Sequence, residues 1–182
     1  MKINTLHELY IEELRDLYSA ETQLLEALPT VAKATNSDEL RSAFEDHLDQ
    51  TKEHVERLDQ IFESLGVSSK GKKCKAMEGL IEEANELLEE DIDEQVLDAA
   101  LIAAAQRIEH YEIAVYGTLA TFAKLMGRDE DLDLLVQTLD EEKETDENLT
   151  DIAESTINIE AEKQGSEEEE EEESSSSKGS GK

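Results

Sequence analysis

The sequence predicts an all-α protein, and three observations predict it. Ala, Leu, Glu and Gln dominate the 182 residues, aromatics make up 4%, and Pro29 is the single proline; this composition favours helix. Apolar residues recur at spacings of three and four along most of the chain, and no run alternates long enough, with β-branched enrichment, to suggest a sheet. The breaks between periodic segments are short, then long, then short, which is the rhythm of two helical hairpins.

The elements follow in order. Thr5 with Glu8 reads as a capping box that opens a first helix reaching the low thirties. Pro29 falls inside it and is expected to kink it or detach its last turn. Asn36 with Glu39 reads as a second capping box, and Gly66 ends the second helix. Ser, Gly and Lys from Val67 to Lys75 mark a loop, and a shorter amphipathic helix spans Ala76 to about Glu90. The third long helix follows Asp91–Glu94 and runs to Met126, where Gly127 is a natural stop. Asp129 then caps a fourth long helix that reaches about Glu160. Roughly 30 residues separate the second and third long helices, enough to travel the length of a bundle. Two hairpins joined by one long crossover make a ferritin-like four-helix bundle with a short extra helix in the crossover. Residues 1–164 are thus expected to form the bundle. The Glu, Ser and Gly run of residues 165–182 is expected to be a disordered tail.

Charge excludes one class of partner. The chain carries a net charge of −31; residues 165–182 hold seven Glu against Lys178 and Lys182, so the tail's −5 leaves −26 on the preceding residues. A body this acidic repels phosphate backbones, so no nucleic-acid partner is expected. An acid excess spread over a folded domain also suggests a halophilic protein, whose self-repulsion is screened by salt; an ordinary acidic surface is the plainer alternative. The single cysteine, Cys74, suits a reducing compartment, and no apolar run approaches membrane length. A soluble cytoplasmic protein with no membrane partner is expected, in the form of a homodimer.

Each long helix interrupts its apolar stripe with an acid or a histidine. Glu21 lies amid Leu6, Tyr10, Leu14, Leu17, Leu24 and Leu28. His47, Thr51 and His54 lie amid Leu40, Phe44, Leu58 and Phe62. Glu109 and Glu112 lie between Leu101 and Leu119, and Glu142 with Asp146 between Leu139 and Leu149. At 100° per residue Glu21, Thr51 and Glu112 fall near the centres of their stripes, whereas His110 faces solvent. A buried carboxylate is costly unless paired or bound to metal. Acids and histidines converging from four helices have the form of a carboxylate-bridged di-metal site, suited to iron or manganese. Any one of these residues alone is more often structural: a boundary Glu reaching water, or a hydrogen-bonded core His. Cys74 lacks a nearby histidine base and reads as structural. Tyr18, Tyr111 and Tyr116 read first as packing residues, with a redox role near a metal as the alternative.

The blocks Leu14-Arg15-Asp16-Leu17-Tyr18-Ser19-Ala20-Glu21, His47-Leu48-Asp49-Gln50-Thr51, Ala103-Ala104-Ala105-Gln106-Arg107-Ile108-Glu109-His110-Tyr111-Glu112-Ile113-Ala114 and Thr138-Leu139-Asp140-Glu141-Glu142-Lys143 resemble the YciE/YciF family. These are ferritin-like stress proteins described as candidate ferroxidases, and the layout more distantly resembles rubrerythrin. The resemblance covers about residues 5 to 155. It implies a di-iron centre (manganese being the other choice) that oxidises Fe(II) with oxygen or peroxide. It implies Glu21 as the first-helix ligand, Glu109 with Glu112 as the third-helix pair, and Glu142 with Asp146 as the fourth-helix pair. On the second helix such proteins carry Glu-x-x-His, where this chain has Thr51-Lys52-Glu53-His54; His47, one turn earlier, is the replacement expected beside His54. The alternative is a structural or interaction bundle without turnover.

Overall fold

The structure, a computed structural model, describes residues 3–164; the expected tail of residues 165–182 lies outside them. Five α-helices follow in order: α1 (Leu6–Ala34), α2 (Asp38–Leu65), α3 (Lys75–Glu89), α4 (Glu94–Leu125) and α5 (Asp129–Ile152). A π-turn, Ala153–Ile157, continues α5, and residues 158–164 are again helical. No strand occurs among the described residues.

Local chemistry sets most of the helix ends. Thr5 Oγ1 accepts from the Glu8 amide at 3.1 Å while Glu8 Oε2 accepts from the Thr5 amide at 3.2 Å, so the first capping box forms. The second differs from expectation. Ser37, not Asn36, caps α2, accepting from the Leu40 amide at 3.3 Å. The Asn36 and Ser37 amides donate instead to the carboxylate of Asp98 on α4, at 2.9 and 2.8 Å. A carboxylate from another helix thus satisfies orphan donors and complements the positive end of α2. Gly66 and Gly127 follow their helices with φ of 65° and 68°, a left-handed geometry that side chains resist. Asp129 is the first residue of α5 rather than its cap, a place held by Arg128. Pro29 is exposed and α1 runs through it as one helix, so no separate last turn forms; water can serve the carbonyl that proline leaves without a donor.

The order of core residues along each helix shows how the bundle is assembled. One apolar cluster holds Leu24 and Leu28 of α1, Leu40 and Phe44 of α2, Ile102 and Ile108 of α4, and Leu149 and Ile152 of α5. The other holds Leu14 and Leu17, Leu58 and Ile61, Leu119 and Ala123, and Leu135. Going along the chain, α1 and α5 pass from the second cluster to the first, while α2 and α4 pass the other way. Each hairpin is therefore antiparallel, and α2 and α4 run parallel, which requires the long crossover carrying α3. Met77 and Ala84 dock α3 on the bundle. Each large apolar side chain buried here contributes about 1.5–3 kcal/mol relative to exposure. Between the two clusters every long helix supplies polar side chains at one level.

Candidate metal centre

That level is built from α1, α2, α4 and α5. Glu21, Thr51, His54, Glu112 and Glu142 have no exposed surface; Glu109 and His47 are 2% and 4% exposed. Donor atoms fall into two groups, each with all its atoms within 4.8 Å of one another: His47, Glu109, Glu112 and Glu142 in the first, Glu21, His54 and Glu142 in the second. Glu142 belongs to both. His47 Nε2 lies 3.3 Å from Glu109 Oε1. His54 Nδ1 lies 3.0 Å from Glu142 Oε1 and 3.6 Å from Glu21 Oε1.

These approaches are close but not aligned as hydrogen bonds. Eight buried atoms have no hydrogen-bond partner among the described residues: Glu21 Oε2, His47 Nε2, His54 Nδ1, Glu109 Oε2, both oxygens of Glu112 and both of Glu142. Buried polar atoms are nearly always bonded, and an unbonded one costs about 1–3 kcal/mol. Eight around one space, from six residues, could hold a metal ion in place of the missing partners. Carboxylate oxygens with two imidazole nitrogens and no thiolate suit iron or manganese.

Electrostatics separates the roles of the two histidines. Burial holds His47 below the usual histidine range, so its ring is neutral at neutral pH with a lone pair to offer. Burial acts the same way on His54, but Glu142 and Glu21 outweigh it and push its pKa up to about 10. Burial and neighbouring acids raise Glu109 and Glu112 well above the carboxylate range, and burial raises Glu21. Burial also disfavours the charged form of Glu142, yet its partner His54 prevails and holds it low. Without metal the centre therefore keeps protons on several acids; cations would replace them.

A supporting set of residues surrounds the donors. His54 Nε2 meets Glu141 Oε2 at 3.0 Å. Glu141 is in turn gripped through both its oxygens by the buried Arg57, which also donates to Thr138 Oγ1 at 3.0 Å. Tyr116, buried in the C-terminal half of α4, donates a short hydrogen bond to Glu21 Oε1. Sequence reasoning treated Tyr116 as packing and passed over Glu141 and Arg57. The available signal was Arg57, three residues after His54 on the same side of α2, where an unpaired guanidinium would be intolerable.

One expectation is corrected. Asp146 does not join the donors: it is a quarter exposed, its Oδ1 accepts from Gln106 at 3.1 Å, and its Oδ2 lies 3.2 Å from His110 Nε2. One turn beyond Glu142, it is drawn to the α4–α5 edge by these two partners. Glu142, rather than the central Glu112, is the residue common to both donor groups. His110 stays at the surface, with 70% of its side chain exposed, as its helical phase requires. Thr51, where Glu-x-x-His would place an acid, turns its hydroxyl back to the His47 carbonyl at 2.8 Å and offers the centre nothing. Cys74 is buried; its thiol lies 3.1 Å from the Tyr111 hydroxyl, which donates to Asp16 at 3.0 Å. Burial pushes the thiol pKa up, so it has no activated thiolate and acts structurally.

Fold and site together define a ferritin-like helical bundle with a buried histidine–glutamate cluster. The chain belongs to the YciF family: residues 5–162 match the domain of unknown function DUF892. Protein YciF of Escherichia coli is 50% identical over 165 residues, covering 90% of this chain and 99% of that protein. The crystal structure of the E. coli stress protein YciF superposes with a TM-score of 0.83 at 51% identity, over 86% of this chain and 99% of that one. YcfI of Rhodopseudomonas palustris, for which a structural role has been suggested, gives 0.80 at 42% identity, over 82% and 95%. A Xanthomonas campestris protein at 20% identity shares the fold, with a TM-score of 0.70. No helix among the described residues is long and apolar enough to cross a membrane.

Proposed function

We propose that the protein is a di-metal ferroxidase of stress protection, taking Fe(II) as substrate and oxygen or peroxide as oxidant. The observation that carries this reading is the set of eight unpartnered donor atoms facing one buried space. His47, Glu109 and Glu112 would hold one ion, Glu21 and His54 the other, with Glu142 shared. The chemistry is one-electron oxidation of each ion: two Fe(II), one peroxide and two protons give two Fe(III) and two waters. The protein's part is to fix the donors on four helices, exclude bulk water and keep each ligand in the right protonation state. For His54 to offer Nδ1, its proton must sit on Nε2, which Glu141 holds in place. Tyr116 fixes the Glu21 carboxylate from the opposite side.

The test is direct. Protein purified without chelator should retain iron or manganese, and Fe(II) added to the metal-free form should oxidise faster than in buffer, followed by ferric absorbance. A protein that binds neither metal and leaves the rate unchanged would sink the proposal. It would leave a metal-free bundle with a structural role, the kind of role suggested for the R. palustris relative.

A further inference from the structure

An open groove between α2 and α5, with a cavity of about 480 Å³, leads to the candidate centre from outside. Asp46 stands on its α2 wall and Glu144, Glu147 and Asp151 on its α5 wall, all exposed. Neither lysine nor arginine is among the described residues that line it. Its floor is His47, 4% exposed. One ring nitrogen, Nδ1, lies 3.4 Å from Thr145 Oγ1 on the groove wall; the other, Nε2, faces Glu109 inside and has no hydrogen-bond partner. The imidazole therefore forms the partition between an acidic vestibule and the buried donors. A second large groove, between α1 and α3, is also acidic, but it carries Lys73 and none of its lining residues belongs to the donor groups.

We infer that the α2–α5 groove is the entry and collecting site for the divalent cation, with His47 as the residue that passes it inward. The inference rests on the reading of the buried cluster as a cation centre. Acids around a concave opening concentrate cations and accelerate their capture, typically by tenfold or more at low ionic strength. Rotation of one side chain then moves the ion from the vestibule to Glu109 and Glu112.

The test uses Co(II) as the probe, its uptake by the metal-free full chain followed by visible absorbance at low salt. Three proteins with unchanged donors are compared: the wild type, Glu144→Gln/Glu147→Gln/Asp151→Asn in the groove, and Glu82→Gln/Glu86→Gln/Glu89→Gln at the α1–α3 groove. The two triple variants remove equal charge. The groove variant should take up Co(II) about tenfold more slowly, with the final content unchanged, and its rate should depend less on salt. The control variant should stay close to wild type. Equal slowing in both variants, or in neither, would overturn the entry route while leaving the cation centre intact. Failure of the wild type to bind Co(II) at all would overturn both, and separates the two readings.

Discussion

Replacing Glu112 by Gln separates a metal ligand from a structural core acid. Neither oxygen of Glu112 has a hydrogen-bond partner, so the loss of about 1–3 kcal/mol expected when a bonded buried group loses its partner does not arise. Burial and the acids Glu21, Glu142 and Glu109 already push this carboxyl well above its usual range. Both causes favour its protonated form in the metal-free protein, and Gln nearly matches a protonated Glu in shape. The metal-free stability should therefore change by less than about 0.5 kcal/mol, within the range of neutral substitutions. Metal content should behave differently, because Glu112 serves one donor group and Glu142 both. Glu112→Gln should lose one of two bound ions, and Glu142→Gln should lose both. Elemental analysis of protein loaded with iron or manganese gives the content; chelator-treated melts give the stability. His110→Ala is the control, since that side chain is exposed and touches only Asp146 among the acids. A Glu112→Gln protein destabilised by about 1–3 kcal/mol without loss of metal would refute the reasoning.

Further outcomes follow from the same geometry. Raised pKa values at Glu109, Glu112 and His54 mean that the folded metal-free protein binds more protons than the unfolded chain. Its melting point should fall as pH rises above about 4.5, and for His54 between 6.5 and about 10, while stabilisation by added metal grows; chelated and loaded melts across pH check both signs. Glu141→Gln should weaken metal binding about 10–100-fold by loosening His54, measured by competition with a chromogenic chelator; unchanged affinity would remove Glu141 from the site. With a net charge of −31, the melting point should rise along a potassium chloride series; a flat response from low to molar salt would end the halophilic reading.

The bundle was legible because its signals are local and periodic. Stripes of Leu and Ala gave the helices, Gly66 and Gly127 two of their ends, and the long crossover the topology. The misplaced cap at Asn36 shows the limit: the competitor for its amide is Asp98, 62 residues away. The π-turn after Ile152 likewise departs from the single helix expected to about Glu160, and no local residue marks it. Helical phase placed six of the seven expected residues in the buried cluster, since a position on a stripe is a local property. Asp146 failed because its phase is nearly right and its short side chain is captured by Gln106 and His110 on α4, contacts that exist only after folding.

The exclusion of Asp146 also bears on what the centre can hold. Four carboxylates, Glu21, Glu109, Glu112 and Glu142, and two imidazoles surround the space; with metal bound each imidazole would give up a lone pair and so be neutral. Two Fe(II) ions carry four positive charges and would be balanced by these four acids, which matters in a buried layer where uncompensated charge is expensive. Glu141 does not enter this balance, because Arg57 neutralises it. Two Fe(III) ions would leave two positive charges without counterparts. In the proposed ferroxidase the donor set would be matched in charge to two Fe(II), whereas two Fe(III) would need two further anions, such as hydroxide from water. That difference would favour loading with the reduced substrate over retention of the oxidised product. A fifth acid at Asp146 would have moved the balance towards retaining the product.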